Sequence, residues 1–215
     1  MNDAFLADGD MLPNGQTKIG QIRAVGLAPE TFVMGCCAAV RRDLLKIALP
    51  VPPGFTHDSW IVQISDRLGL TLRIEEPLQH YRLHGDNASD FFVNSPQAMS
   101  RGTAFTHRLR KKLRRLTAAS GLGEEALFQQ AFAARLAERK DALAALVGQE
   151  QSLIQLEKAT TRARILSARA ALRSRPRLAR LPAIAALWRD GAYPGAGAAA
   201  KDLLIARQRS ERPAP

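Results

Sequence analysis

Residues 56–75 have the sequence THDSWIVQISDRLGLTLRIE, in which one hydrophobic period gives way to another. Over residues 60–68 the apolar positions recur every three or four residues, which predicts an amphipathic helix of about three turns that ends at Gly69. Over residues 70–75 apolar and polar residues alternate, which predicts a half-buried strand. A helix followed directly by a strand is typical of an α/β fold.

The chain upstream of this stretch carries weaker signals. Residues 1–30 are rich in Asp, Gly and Pro, which predicts a loop with one short edge strand around residues 4–7. The β-branched and small apolar residues of 31–40 indicate a buried strand. The following segment RRDLLKIAL (41–49) has a helical pattern, and Pro50 is expected to stop the helix.

The chain downstream divides into an extended piece and a helical region. Pro77 and Gly85 bracket a second extended segment, LQHYRLH. From about residue 101 the composition changes to Ala, Leu, Arg, Glu and Gln, which favours helix. Breaks in the helices are expected at 121–123, near 148, at 176–182 and at 191–197. We therefore expect an α/β domain over 1–98 and a mostly α-helical, basic tail over 99–215.

The composition is that of a globular protein. The chain has 215 residues, of which 46% are hydrophobic, and this is enough for a buried core. No stretch approaches the roughly 18 to 20 apolar residues of a membrane span, and the start MNDAFLADGD is unlike a secretion signal. Both features predict a cytoplasmic protein. Cys36 and Cys37 are adjacent in an apolar run, which predicts reduced packing residues rather than a zinc site.

The net charge of +11 is unevenly distributed along the chain. Residues 1–100 hold 8 Lys/Arg against 11 Asp/Glu, and the remainder holds 23 against 9. The densest run, 108–116, places leucines on a possible common stripe between its cations. Two interpretations stay open: the segment lies on an anionic membrane surface, or it packs its leucines on the preceding domain. Nucleic acid is a less favoured partner because the tail has few aromatic residues for stacking.

Three segments, in this order, carry a recognisable pattern. They are MGCCAAVRRDLL (34–45), LPVPPGFTHDSW (49–60) and IEEPLQHYRLHGDNAS (74–89). Together they resemble the second half of bacterial family 2 glycosyltransferases of the GT-A fold, over about residues 30–92. The resemblance implies a partial GT-A-like α/β domain that contains the acceptor-side half of the sheet. It also implies transfer of a sugar, with inversion, from a nucleotide-sugar donor.

The resemblance makes Asp58 the candidate catalytic base. An inverting transfer needs a carboxylate that takes the proton of the acceptor hydroxyl while its oxygen attacks the anomeric carbon. A position at a helix N-terminus suits this role because the unpaired backbone N–H groups favour an ionised carboxylate. The alternative is that Asp58 only caps the helix. The two roles are compatible.

Other residues of the same motifs receive roles by the same resemblance. Gly35 matches a glycine that lets the backbone approach the sugar donor, although a tight turn explains it equally well. His57 belongs to the acceptor side. Trp60 either packs in the core or lines the acceptor pocket.

The segment YRLHGDN is expected to contact the donor diphosphate. Arg82 would pair with phosphate oxygens, and His84 would donate a hydrogen bond or bind a divalent metal ion, Mg²⁺ or Mn²⁺. A purely structural role for His84 is the alternative, because a single histidine without nearby carboxylates seldom binds a metal.

The family's nucleotide-binding half has no counterpart in the sequence. Its metal-binding D-x-D motif is matched in letters by Asp8-Gly9-Asp10, but a turn is the simpler interpretation. We therefore expect weak or no transferase activity from the chain alone, whether it is a fragment or takes the missing half from another polypeptide. A cell-envelope glycan or lipid-linked acceptor, at the inner face of the cytoplasmic membrane, is expected. The alternative function is a non-catalytic basic helical protein that binds a membrane or a protein partner.

Overall fold

A computed structural model describes residues 1–24, 26, 28, 33–83 and 120–205, except for the side chains of 120 and 121. The chain forms two compact units, Met1–Leu109 and Arg110–Pro215. The names N-terminal unit and C-terminal unit refer to the described residues of the first and the second of these units. The expected boundary at 98, the basic run 108–116 and His84 lie outside the described residues.

The N-terminal unit is a small mixed α/β structure. Its sheet has the order β2-β1-β3, with β1 antiparallel to β2 and parallel to β3. The elements are, in chain order, β1 (Asn2–Ala7), β2 (Pro13–Thr17), α1 (Lys18–Ala24), a 3-10 turn (Gly35–Cys37), α2 (Arg42–Ala48), α3 (His57–Arg67) and β3 (Ile74–Arg82).

Strand β1 is the centre of this sheet and not the edge strand expected around residues 4–7. Ala4 and Leu6 are completely buried. The buried carboxylate of Asp3 accepts hydrogen bonds from the backbone N–H groups of Ala4 (2.8 Å) and Ile19 (2.9 Å), which joins β1 to the start of α1. A strand at residues 4–7 is confirmed, but β2 and α1 replace the loop predicted for much of the rest of 1–24, because α1 contains only two large apolar residues.

Two further strand predictions were wrong. Gly35–Cys37, within the predicted strand 31–40, forms a 3-10 turn, and the rest of residues 33–40 is not strand either. Leu70 and Leu72 lie before β3, with 43% and 73% of their surfaces exposed. Their alternation with polar residues therefore reflects a connecting segment and not a half-buried strand.

Strand β3 runs through Pro77 without interruption. Pro77 lies opposite Asp3 of β1, where the register of the two strands shifts. Proline is tolerated in a strand where regular pairing is interrupted, because its missing N–H group then leaves no ladder hydrogen bond broken. For this reason Pro77 does not separate two extended pieces as predicted.

Helices α2 and α3 confirm the sequence predictions. Helix α2 ends two residues before Pro50 and buries Leu44 and Ile47. Helix α3 buries Trp60 and Ile64, and Gly69 follows it with a φ of 71°, a left-handed conformation that glycine adopts without strain.

The C-terminal unit is helical, as predicted. Gly148 separates two helices with a φ of 88°, and Gly191 begins a turn with a φ of 71°. The break expected at 121–123 was wrong, because a helix already includes these residues. The helices are α4 (Ser120–Glu138), α5 (Lys140–Val147), α6 (Gln149–Ala171), α7 (Leu181–Arg189) and α8 (Ala196–Leu204), with 3-10 turns at Leu172–Ser174 and Leu178–Arg180. Within the described ranges, no helix combines the length and apolar character needed to cross a bilayer.

We expect Trp60→Phe to destabilise the N-terminal unit by about 1–3 kcal/mol. The Trp60 ring is fully buried and its indole N–H donates a 2.8 Å hydrogen bond to the Ala48 carbonyl, so the substitution removes both volume and this bond. Urea unfolding followed by circular dichroism measures the change. Trp188→Phe is the matched control, since Trp188 is 47% exposed and should cost less than about 0.5 kcal/mol. If the two variants lose the same free energy of unfolding, Trp60 is not a buried, hydrogen-bonded core residue.

Candidate functional site

The backbone of Gly35 lies directly against the N-terminus of α3. A Cβ atom on Gly35 would be 3.2 Å from Asp58 Cβ, 3.5 Å from His57 Nε2 and 3.8 Å from Asp58 Oδ2. Because the φ of Gly35 is not in the left-handed region, the absence of a side chain is required by this close approach and not by the turn conformation. The structure thus brings together three of the residues that the sequence motifs singled out.

Asp58 is the second residue of α3, and the N-cap residue is Thr56. The Thr56 side chain makes no capping hydrogen bond. Instead, Asp58 Oδ1 accepts a 2.7 Å hydrogen bond from the Ser59 N–H, one of the donors that a helix start leaves without an intrahelical partner. Among the described residues, no hydrogen bond reaches Asp58 Oδ2. One oxygen of the half-buried carboxylate is therefore oriented while the other is open to a ligand.

His57 and Trp60 have opposite environments. His57 is exposed beside Gly35, where a ligand can reach its ring. Trp60 has no exposed surface, and its ring packs 5.1 Å from that of Phe55, measured between centroids. The packing interpretation of Trp60 is confirmed. A completely buried ring cannot touch an acceptor, so the acceptor-side role considered for Trp60 is corrected.

Strand β3 bounds the Gly35–Cys37 turn on another side. The Gln79 side-chain amide donates a 3.0 Å hydrogen bond to Cys37 Sγ. Tyr81 packs against a hydrophobic cluster that includes Ala4 and Cys37. The turn is therefore held between α3 and the sheet, and this fixes the position of Gly35 relative to Asp58.

Arg82 lies at the end of β3, opposite Ala7 of β1, and is exposed. Side chains alternate between the two faces of a strand, so Arg82 shares its face with His80 and not with Gln79 or Tyr81. The structure thus places Arg82 on the strand that contacts the turn but on the opposite face of that strand. His84, the tentative metal ligand, is outside the described residues.

Asp8-Gly9-Asp10 forms a turn, as the simpler interpretation predicted. Asp8 Oδ1 accepts hydrogen bonds from the backbone N–H groups of Asp10 (3.0 Å) and Leu12 (2.9 Å). In the part of the chain that the structure describes, no group of three or more His, Cys, Asp or Glu side chains is placed to hold a metal ion.

Two residues near the turn were missed in the sequence. Lys18 is buried, and burial lowers the pKa of its amine. No local pattern marked this lysine, because a single cation at the start of a short helix is ordinarily solvated. Gln79 was not singled out in the extended segment LQHYRLH, because its contact with Cys37 depends on the packing of β3 against the turn.

Comparison of the chain with protein-family models, with curated proteins and with solved structures finds no match.

Gly35→Ala should destabilise the N-terminal unit by about 1–2 kcal/mol, because its methyl group would press on Asp58 Cβ at 3.2 Å. Gly9→Ala is the control, since a Cβ there meets nothing within 4 Å and should change the free energy of unfolding by less than about 0.5 kcal/mol. Urea denaturation measures both values. A Gly35→Ala variant with an unchanged free energy of unfolding would refute the predicted contact.

The two free cysteines should differ in reactivity. Cys36 is exposed, whereas Cys37 is buried, and this burial raises the pKa of the Cys37 thiol to about 12. Packing by Cys37 is thus confirmed, and the same expectation for Cys36 was wrong. Since the raised pKa leaves very little Cys37 thiolate at pH 8, iodoacetamide should label one cysteine in the folded chain and two in urea. Mass spectrometry distinguishes these products, and equally rapid labelling of both folded thiols is the contrary result.

Proposed function

We propose that the N-terminal unit is the acceptor-side, catalytic-base part of an inverting, nucleotide-sugar-dependent glycosyltransferase of the GT-A type. The observation that supports this most is the close approach of Gly35 to the Asp58 side chain, since a Cβ on Gly35 would lie 3.2 Å from Asp58 Cβ. These residues are 23 positions apart in the sequence, and each belongs to a different motif of the resemblance.

In the proposed reaction, Asp58 Oδ2 takes the proton from the acceptor hydroxyl. The acceptor oxygen forms a bond to the anomeric carbon, while the bond from that carbon to the departing phosphate oxygen breaks on the opposite face of the sugar. The electron pair of the broken bond stays on the nucleoside diphosphate. General bases of this kind contribute about 10²- to 10⁴-fold to a rate.

The local geometry suits such a base. The hydrogen bond from the Ser59 N–H to Oδ1 orients the carboxylate, and Oδ2 has no hydrogen-bonding partner among the described residues. Gly35 approaches closely, since a Cβ there would lie 3.8 Å from Oδ2, and the proposal places the sugar donor against its backbone. In this proposal the exposed His57 ring contacts hydroxyl groups of the acceptor.

The diphosphate contacts are proposed from the motif alone. Arg82 ends β3 on the face opposite to the Gly35–Cys37 turn, so its assignment to the leaving phosphate groups comes from the motif and not from its position. His84 receives the same role from the motif. The described residues bring together no ligand set for the divalent ion that the family uses, so no step here passes through a metal ion.

The substrate and partners follow from the resemblance. The donor is a nucleotide sugar, the acceptor is an envelope glycan or lipid-linked molecule, and the nucleotide-binding half comes from another segment or polypeptide. Attachment to an anionic membrane through residues 108–116 belongs to the same proposal. A membrane- or protein-binding role without catalysis remains the competing function.

Asp58→Asn should lower the rate of transfer by roughly 10²- to 10⁴-fold. The amide cannot accept the proton, although its oxygen can keep the hydrogen bond from Ser59. Transfer is measured as acceptor-dependent release of nucleoside diphosphate, with the chain joined to a nucleotide-binding half. Donor binding, followed by saturation-transfer NMR, should change by less than about twofold, because the base acts in the transition state.

Asp43→Asn is the matched control. Asp43 is also the second residue of its helix, α2, and it pairs only with nearby exposed cations, Arg41 and Lys46. The substitution makes the same change of charge at the same helical position and should leave transfer unchanged. If Asp58→Asn transfers sugar as fast as Asp43→Asn, Asp58 is not the base and the competing binding function is favoured.

A further inference from the structure

Helix α7 has two apolar faces, and only one of them packs in the core of the C-terminal unit. Ile184 is buried in a hydrophobic cluster with Leu172 and Tyr193, and Ala183 and Leu187 pack against that cluster. The three α7 residues of this contact lie within one turn of each other and form a single stripe of the helix. This stripe attaches α7 to its own unit.

The second apolar face of α7 is exposed. Its residues follow one another at spacings of three, four and three, beginning in the 3-10 turn that leads into the helix, and we call them the outer stripe: Leu178, Leu181, Ala185 and Trp188. Residues three apart eclipse one another in a 3-10 turn, and residues three or four apart are neighbours on an α-helix, so the four side chains share one face. Leu178 is 81% exposed, and Leu181 and Trp188 are each 47% exposed.

The Trp188 ring is held at the surface of the unit. It stacks on the ring of Tyr193, with 6.0 Å between the ring centroids and an angle of 27° between the ring planes. Tyr193 is itself buried, so the indole packs on the core with one side and keeps the rest of its surface exposed. An indole in this position suits the boundary between water and an apolar phase, because its ring is apolar while its N–H group is polar.

The ends of the outer stripe are positively charged. Three exposed arginines flank it in the sequence, Arg175, Arg177 and Arg189. Residues 172–205 hold six Lys or Arg against two Asp or Glu. One of these two carboxylates, Asp202, is buried in an ion pair, which leaves Asp190 as the exposed acid of this segment. The stripe is therefore bordered mainly by cations.

The end of α8 lies beside the start of the outer stripe. Arg177 Nη2 donates a 3.1 Å hydrogen bond to the Leu204 carbonyl oxygen, and Leu204 is 65% exposed. This contact brings a further exposed leucine to the arginine that directly precedes Leu178. Cationic and apolar side chains are thus adjacent at this end of the stripe.

Exposed leucine and tryptophan side chains bordered by arginines match an anionic lipid surface. The apolar side chains can enter the boundary between headgroups and acyl chains, and the arginines can pair with lipid phosphate groups. A second copy of the same surface would bring like charges together. Other exposed leucines of the unit lack this setting: Leu153 of α6 is 60% exposed, but the exposed Glu150 and Glu157 lie three and four residues from it and would be repelled by anionic lipid.

We propose that the outer stripe of α7 is a contact surface for an anionic lipid bilayer. Trp188 and the leucines of the stripe enter the headgroup region, and the flanking arginines bind lipid phosphate oxygens. Helix α7 lies in the plane of the bilayer surface, because its opposite face remains packed in the core of the unit. This contact uses neither Asp58 nor residues 108–116, so it does not rest on sugar transfer or on attachment through that basic segment.

The test uses the full chain and vesicles of phosphatidylcholine with and without phosphatidylglycerol. Co-sedimentation should show binding to the anionic vesicles that weakens as salt is added, because salt screens the attraction between the arginines and the lipid phosphates. Phosphatidylcholine with brominated acyl chains, included in the anionic vesicles, should quench the fluorescence of Trp188. Trp60 is fully buried in the N-terminal unit and should not be quenched, so Trp188→Phe should abolish the quenching.

Leu178→Gln should weaken binding to the anionic vesicles about fivefold or more, because it removes apolar surface that insertion buries. Its high exposure means that the melting temperature should not change. Leu153→Gln is the matched control and should keep the affinity within about twofold. The proposal is overturned if the wild-type chain does not bind these vesicles, if the bound chain shows no quenching of Trp188, or if the two leucine variants bind equally well. Binding without quenching would assign attachment to another segment, such as 108–116, and no binding would favour a protein partner for the stripe.

Discussion

The N-terminal unit is organised around the close packing of the Gly35 backbone against the first turn of α3. A side chain at position 35 would press on Asp58, since a Cβ there would lie 3.2 Å from Asp58 Cβ and 3.8 Å from Oδ2. The hydrogen bond from Gln79 to Cys37 holds the same turn on the sheet. Helix α3 is in turn fixed by the buried Trp60, whose indole is bonded to the end of α2. Sheet, turn and helices thus determine together where one carboxylate points.

The helices could be predicted from the sequence because their apolar residues repeat strongly. The pattern of 60–68 and the leucines of 41–49 mark faces that a core must cover, and the structure buries these faces in α3 and α2. Strands were harder to predict. Alternation over 70–75 was misleading, since Leu72 is exposed, while the central strand β1 is only six residues long and includes a buried Asp3 whose partners lie in α1. Tertiary contacts determine whether short segments of this kind form strands.

The candidate site was predictable in part for a similar reason. Gly35, His57 and Asp58 were recognised by their motifs, and their proximity follows from how the turn and α3 pack. A sequence motif does not show which of its side chains are buried, so the same motif did not reveal that Trp60 is inaccessible. In the C-terminal unit, Arg173 was one of many arginines in a basic tail. Its burial beside Asp202, which lies 29 positions later in the sequence and is bonded to Arg169, depends on tertiary packing that no local pattern reveals.

The most direct test is a crystal structure of the chain joined to a nucleotide-binding half, with a nucleoside-diphosphate sugar bound. We predict that the sugar lies beside Gly35, with the acceptor side next to Asp58 Oδ2 and the diphosphate near the end of β3. A sugar bound elsewhere on the molecule, or a Gly35 backbone that does not contact the start of α3, would contradict it.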